Sequence, residues 1–292
     1  MPARADRQDV AVKTLVCVKH IADLPTVRDG AEVDLSAVGQ MPNLLDLSAV
    51  EEALQLRSAM GGEVIALTVG SPASEATLRK ALMMGVDRVV RLWDEELRAC
   101  DASGMAAVLA KAAQHIGFDL LLCGARSSDT GGELVGAAIA ETLGLPLVMR
   151  AISLRFDKPT GRIVADKKLE RGARETYATR IPAVLTIERG PIEPRYSGPQ
   201  WVRRLLRGKV ELLSLKDIGF TLPLPAQQVS YLKLTPPKPR TKIGVKVSGL
   251  SLKDKLAIMR GRTTTAKKEE VVEERPEDAA KKIKEHLEKW LG

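Results

Sequence analysis

The sequence predicts an α/β protein: a doubly wound, mostly parallel sheet, then an antiparallel strand region and an extended C-terminal arm. Three observations lead there. Short β-rich apolar runs alternate with helical patterns over the first half of the chain, the sign of an open parallel sheet covered on both faces. After Arg150 the rhythm changes to strands separated by polar turns. Beyond Pro191 the chain becomes proline-rich and irregular. Residues 1–215 therefore read as the α/β domain and residues 216–292 as the arm.

The elements follow in order. Residues 12–18 (VKTLVCV) form an apolar run of the kind buried in parallel sheets. Residues 47–60 carry apolar side chains at helical spacing, and Gly61-Gly62 ends that helix. A second strand spans 63–69 (EVIALTV), and Ser74 opens a helix that stops at Gly85. A short strand at 89–92 precedes an alanine-rich helix over 103–116, stopped by Gly117. A fourth strand at 120–123 leads through a loop into a helix over 134–143. This order is Rossmann-like. Residues 151–156, 162–169 and 174–179 read as antiparallel strands, and 183–188 as one more. Residues 222–242 read as an extended segment, 252–260 as a short amphipathic helix. Pro276 begins a final helix with Ile283, Leu287, Trp290 and Leu291 on one face. That face needs a docking surface.

Composition narrows the function. The 292 residues are 45% apolar but only 3% aromatic, so the core is aliphatic. Three cysteines, Cys17, Cys100 and Cys123, are too few for a disulfide framework or zinc site. Residues 1–10 lack a signal-peptide apolar stretch, and no run approaches the roughly 20 apolar residues of a membrane helix. These features predict a cytoplasmic protein with no membrane span. The net charge of +8 gathers at 167–180, 203–209 and 238–246 without interleaved aromatics for base stacking. An acidic partner or polyphosphate ligand explains it better than nucleic acid.

In doubly wound sheets, ligands bind beyond the C-terminal strand ends at the switch point. Four segments arrive there: the loop after Val18, residues 43–46, the turn Val69-Gly70-Ser71, and the loop 124–135 (GARSSDTGGELV). The last has hydroxyls at Ser127, Ser128 and Thr130, two glycines, and a helix N-terminus to offer an anion. It reads either as a phosphate cradle or as a solvated Gly/Ser loop, matching neither GxxxxGK[ST] nor GxGxxG. His20, His115 and His286 are isolated. Asp46, Glu51 and Glu52 are expected on a solvated helix face. No acid–base, nucleophile or metal constellation stands out, which describes a binding scaffold.

Residues 43–57 (NLLDLSAVEEALQLR) and 64–88 (VIALTVGSPASEATLRKALMMGVDR) resemble electron-transfer flavoprotein β subunits, including FixA proteins. The resemblance continues through 124–146, Glu175-Thr176, 181–184 and Glu193-Pro194-Arg195-Tyr196, and covers roughly 12–215; the final helix is similar to that family's arm. It implies a fold like the adenine nucleotide α-hydrolases and a heterodimer with an α subunit. It also implies an FAD shared with that subunit, AMP or a second FAD in the β-subunit site, and a dehydrogenase or quinone oxidoreductase as redox partner. In the electron-bifurcating form, NADH supplies the electrons. Carried over by position, the nucleotide contacts fall at Cys17, Asn43, Leu44, Leu45, Asp46 and Val69. They continue at Gly124, Ala125, Arg126, Ser127, Ser128, Asp129, Thr130, Gly131, Gly132, Glu133, Leu134 and Val135.

The chain departs from the family in three places. Leu44 stands where proline is usual. The loop has exchanged acidic residues and a Gln-Thr pair for glycines and an ending Val-Gly, which resembles the bifurcating form. Pro199 takes the position of the family's anchoring leucine, with Trp201 as either a substitute anchor or a residue packed on its own domain. The implied role is electron transfer without a catalytic residue. The alternatives are the redox-active subunit of an NADH-oxidising bifurcating complex and a stand-alone nucleotide-binding regulator.

Overall fold

In the computed structural model, residues 11–23, 39–196, 198, 203, 205–206, 208–221 and 276–291 are described. The expectations for residues 1–10, 199, 201, 222–242 and 252–260 lie outside them. The chain divides into two units, Met1–Pro237 and Lys238–Gly292. In the second, the final helix α5 spans Pro276–Leu291, with Ile283 and Leu287 exposed one turn apart.

In the first unit, β1 (Val12–Cys17) is central: every side chain it carries except Lys13 is buried, and the strand is covered on both faces. It pairs in parallel with β4 (Gly62–Val69) and β6 (Leu120–Gly124). β5 (Arg88–Leu92) lies outside β4, also in parallel. Between these strands run α1 (Leu44–Met60), α2 (Glu75–Met84) and α3 (Ala102–Ile116), and α4 (Leu134–Leu143) follows β6. Alternation of strand side chains divides the core in two. Val12 and Val16 pack with α1 and α2, whereas Leu15 and Cys17 pack with α3 and α4. The chain builds outward from β1 to β5, then α3 carries it back to β6 on the other flank of β1. The β1–β6 seam is thus the switch point.

The antiparallel region consists of β7 (Leu147–Asp157), β8 (Arg162–Lys168) and β9 (Arg174–Thr179). Strand β10 (Ala183–Ile187) corrects the expectation of one more antiparallel strand. It inserts between β6 and β7 and is parallel to both. All five of its side chains are buried, as a strand covered on two faces requires. Strand β7 consequently serves two partners: its first residues pair in parallel with β10, and its later ones run antiparallel to β8. The two pairings meet at Ala151, and Arg150 just before it has a positive φ of 59° and donates its N–H to the Thr186 hydroxyl.

Among the described residues, three short strands lie outside the predicted set. β2 (His20–Ala22) and β3 (Gln40–Pro42) form a separate antiparallel pair, and β11 (Val210–Leu213) extends the main sheet beside β5. Strands of three or four residues carry too little periodicity to be read locally.

Helix α1 corrects a second expectation. Asp46, Glu51 and Glu52 do not line a solvated face; they are 5%, 3% and 3% exposed. Each has a structural partner. The Glu51 carboxylate accepts the Arg195 guanidinium in two bonds, at 2.7 and 2.8 Å, plus the Arg195 N–H. Glu52 accepts the Leu154 N–H from β7 at 2.9 Å. The helix faces sheet and chain on most sides, so amphipathic spacing could not indicate which charges stay wet.

Burial, reinforced by the nearby Glu51 charge, pushes the Glu52 carboxyl up to about 7 against the Leu154 hydrogen bond. A carboxyl whose folded pKa lies above its unfolded value holds its proton better when folded. Stability from this group is therefore present at low pH and lost as pH rises from about 4.5 to about 7. Glu52→Gln keeps an acceptor for Leu154 without the charge. Thermal melts should show Glu52→Gln stabilised relative to the parent above pH 7, by roughly 1–3 kcal/mol, the gap closing near pH 4. A gap independent of pH would mean that the Glu52 carboxyl titrates alike in the folded and unfolded chain.

Candidate functional site

The site begins with a carboxylate. Asp46, in the first turn of α1, is buried at the C-terminal end of the β1–β6 seam. Its Oδ2 accepts the Lys19 N–H at 2.7 Å and its Oδ1 accepts the Gly124 N–H at 2.8 Å. These amides belong to the chain leaving β1 and to the last residue of β6. One side chain thus ties both strand ends to one helix. Desolvation pushes the Asp46 carboxyl up to about 6, opposed by the Lys19 amide, Asn43, the Gly124 amide and the Lys19 charge.

Gly124 is required here by close approach. A Cβ at that position would stand 2.3 Å from Asp46 Oδ1 and 2.9 Å from Leu45 Cβ. Gly136 does the same beneath α4, where a Cβ would meet Thr186 at 2.4 Å and Cys123 Sγ at 2.8 Å. Without these side chains, α4 rests directly on β6 and β10.

Asn43 holds the loop from the other side. Its N–H donates to the Lys19 carbonyl, and its own carbonyl accepts from Asp46 and Leu47. This is why α1 starts at Leu44, three residues before the apolar spacing suggests. Its side chain makes no capping bond to its own helix. Instead, Nδ2 donates to the Arg126 carbonyl at 3.0 Å, and Oδ1 accepts from the N–H and hydroxyl of Ser128, each at 3.2 Å. Within the loop, the Ser127 and Thr130 hydroxyls are 2.7 Å apart and Gly131 N–H bonds the Ser127 carbonyl.

The loop delivers the chain to α4, whose first-turn amides at Leu134, Val135 and Gly136 have no intrahelical acceptor. Glu133 occupies the N-cap position and makes no side-chain cap. Those donors, with the helix dipole behind them, form an anion site by construction. Leu44 and Leu134, at the starts of α1 and α4, are 56% and 46% exposed. They offer apolar surface beside the polar loop.

The structure brings most of the expected residues together, with differences. Asn43, Leu45, Asp46, Gly124, Arg126 and Ser128 are joined by these contacts. Ala125 is buried, its N–H on the Ile187 carbonyl of β10. Thr130, Gly131 and Gly132 are exposed. Cys17 sits in register with Cys123 across the seam, both free and buried; burial pushes the Cys17 thiol up to about 12. Val69 ends β4 on the same edge, one strand away, paired with Leu92.

Lys19 opens the loop after Val18 that the sequence brings to the switch point, but it is not among the residues carried over as nucleotide contacts. It follows β1 directly, and its ammonium reaches the loop, 2.9 Å from Asp129 Oδ1 and 3.5 Å from the Ser127 hydroxyl. The available signal was its place, immediately after a buried strand beside the switch point. His20 has its Nδ1 2.8 Å from the Thr77 hydroxyl and its Nε2 buried without a hydrogen-bond partner, and burial lowers its pKa. Among the described residues no group of His, Cys, Asp and Glu could hold a metal ion, and no helix is long and apolar enough to cross a membrane.

The arrangement can bind and orient an anionic ligand. Asp46→Asn retains one acceptor oxygen, so one of the two strand-end amides loses its bond. The expected cost is roughly 1–3 kcal/mol in denaturant unfolding, with faster hydrogen exchange at Lys19 or Gly124. Gly124→Ala should produce the same loosening from the opposite partner. Unchanged exchange at both amides would show that the clamp does not hold the strand ends.

The family model for the electron transfer flavoprotein domain matches residues 33–215. The electron transfer flavoprotein subunit beta of Methylophilus methylotrophus is 30% identical over 216 residues, 72% of this chain and 82% of its own. Protein FixA of Azorhizobium caulinodans is 31% identical over 213 residues, 70% of this chain and 76% of its own. The electron transfer flavoprotein subunit beta of Mycobacterium leprae is 31% identical over 248 residues, 80% of this chain and 91% of its own.

Proposed function

The chain belongs to the electron transfer flavoprotein family as a β-type subunit, and from this premise we propose that it holds an adenine nucleotide at the loop between β6 and α4. In this reading it is a non-catalytic electron carrier working in the cytoplasm beside an α-type subunit, with which it shares an FAD. A dehydrogenase or a quinone oxidoreductase is its redox partner. The observation that carries the reading is the Asn43–Asp46 clamp. It draws the start of α1 against the end of β6 and spreads the loop below the uncapped α4 N-terminus.

The residues present fit such a ligand. Main-chain amides suit a phosphate, because they bring no desolvated cation and require no rearrangement. The exposed leucines at the starts of both helices suit the flat face of a base. When bound, a flavin supplies the one- and two-electron chemistry; the chain supplies place, orientation and electrostatics. Asp46 and Asn43 keep the loop preorganised, so that little ordering is left for binding.

A second reading rests on the middle of the loop. A Cβ at Gly131 would meet nothing within 4 Å, and one at Gly132 only the Thr130 hydroxyl at 3.8 Å. That space supports a dinucleotide, a second FAD in an NADH-oxidising, bifurcating complex.

Co-purification with an α-type subunit of the same family, with flavin and nucleotide counted after extraction, tests both. One FAD and one AMP per heterodimer supports the carrier. Two FADs with bleaching by NADH support the bifurcating form. A chain that forms no heterodimer and carries no nucleotide would defeat both. Asn43→Ala, which frees Arg126 and Ser128, should lower the retained β-site nucleotide severalfold and leave the shared FAD in place.

A further inference from the structure

The Lys19 backbone is fixed on both sides: its N–H bonds Asp46 Oδ2 and its carbonyl accepts the Asn43 N–H. Its Cα therefore stands at the mouth of the seam, and the side chain beyond can move. That side chain is 45% exposed and spans to the loop, ending on Asp129 Oδ1. The same Asp129 oxygen accepts the Thr130 N–H at 2.7 Å. One carboxylate oxygen thus takes a lysine ammonium and a loop amide together, the pair of donors a phosphate oxygen would take. Burial in the loop opposes ionisation of Asp129, but hydrogen bonds from Lys19 and Ser127, the Lys19 charge and the Thr130 amide outweigh it and hold the carboxyl below its usual range.

The loop has other supports. The Asn43 side chain holds Arg126 and Ser128, and the Ser127–Thr130 and Gly131–Ser127 bonds close its turn. An ion pair with one partner this exposed contributes little to folding. The pair is thus weak as a structural element, while it places a negative charge where a ligand anion would arrive.

We propose that Asp129 is the loop's internal stand-in for a ligand phosphate, and that Lys19 is a phosphate-binding residue which the nucleotide wins from it. The proposal rests on the nucleotide reading of this loop and adds a selection rule to it. A phosphate brings up to two charges to Lys19 against the single charge of the carboxylate, so it displaces Asp129, which swings outward. A nucleoside without phosphate has nothing to exchange and leaves the pair closed. The exchange thus favours phosphorylated ligands over bare nucleosides and keeps the free loop closed on itself.

Calorimetric titration of the full chain with AMP, ADP, FAD and adenosine tests this. Asp129→Asn keeps an acceptor for Thr130 and removes the competing charge. It should tighten AMP and ADP about tenfold and leave adenosine unchanged, the size expected for one like charge a few ångströms away near a surface. Lys19→Gln should weaken AMP and ADP by a similar factor, again without effect on adenosine. In the double variant the benefit of Asp129→Asn should shrink, because the two charges act on each other. A parent chain that binds AMP while Asp129→Asn binds it no better would overturn the proposal and leave the nucleotide reading standing. If neither the parent nor any variant binds AMP, ADP or FAD, both fall together. An equal change for adenosine and AMP would also overturn it, since that marks a general loosening of the loop.

Discussion

A single buried carboxylate sets the geometry on which the rest of the site depends. Asp46 accepts amides from the ends of two neighbouring parallel strands while sitting in the first turn of the helix that crosses them. At the C-terminal edge of a parallel sheet, strand-end amides leave the ladder and need an acceptor; water or a side chain must supply one. Asp46 supplies both at once. In doing so it fixes how close β6 can come and why residue 124 has no side chain.

The clamp also explains the division of labour between neighbours. Asn43 can spend its side chain on the loop because its helix is already anchored through main-chain bonds to Lys19 and Leu47. The loop is then held by groups at its base, Asn43 and Asp46, while its middle residues remain exposed. A rigid base below an open rim suits a ligand that must be placed accurately and exchanged or shared with a second subunit. The buried charges Glu51 and Glu52 work further along α1, pinning Arg195 and β7 to the same helix. Helix α1 is thus a polar hub inside an otherwise aliphatic core, with each charge satisfied by a specific partner.

This distribution accounts for a function without acid–base residues. A carrier subunit needs a nucleotide and a partner held in register, and the forces available for that are main-chain hydrogen bonds, helix dipoles and close packing. The thiols nearest the loop, Cys17 and Cys123, are buried with raised pKa values, which suits packing over reactivity.

The sequence by itself determined the βα alternation, the location of the switch point, the loop 124–135 and the family, because each rests on local periodicity or on ordered motifs. Helix α4 appears over the same residues as its pattern, and strands β8 and β9 within a residue of theirs. What only the tertiary structure decided was pairing and burial across long separations. Strand β10 reads locally as one more strand after three antiparallel ones, and only its place between β6 and β7 makes it parallel. Asp46, Glu51 and Glu52 look like any solvated helix face until their partners, at positions 19, 124, 195 and 154, arrive from distant parts of the chain. Lys19 joins the site for the same reason: its partner Asp129 is 110 residues away. Periodicity records which side of an element is apolar, whereas the identity of a buried charge's partner depends on contacts that exist only once the sheet has closed.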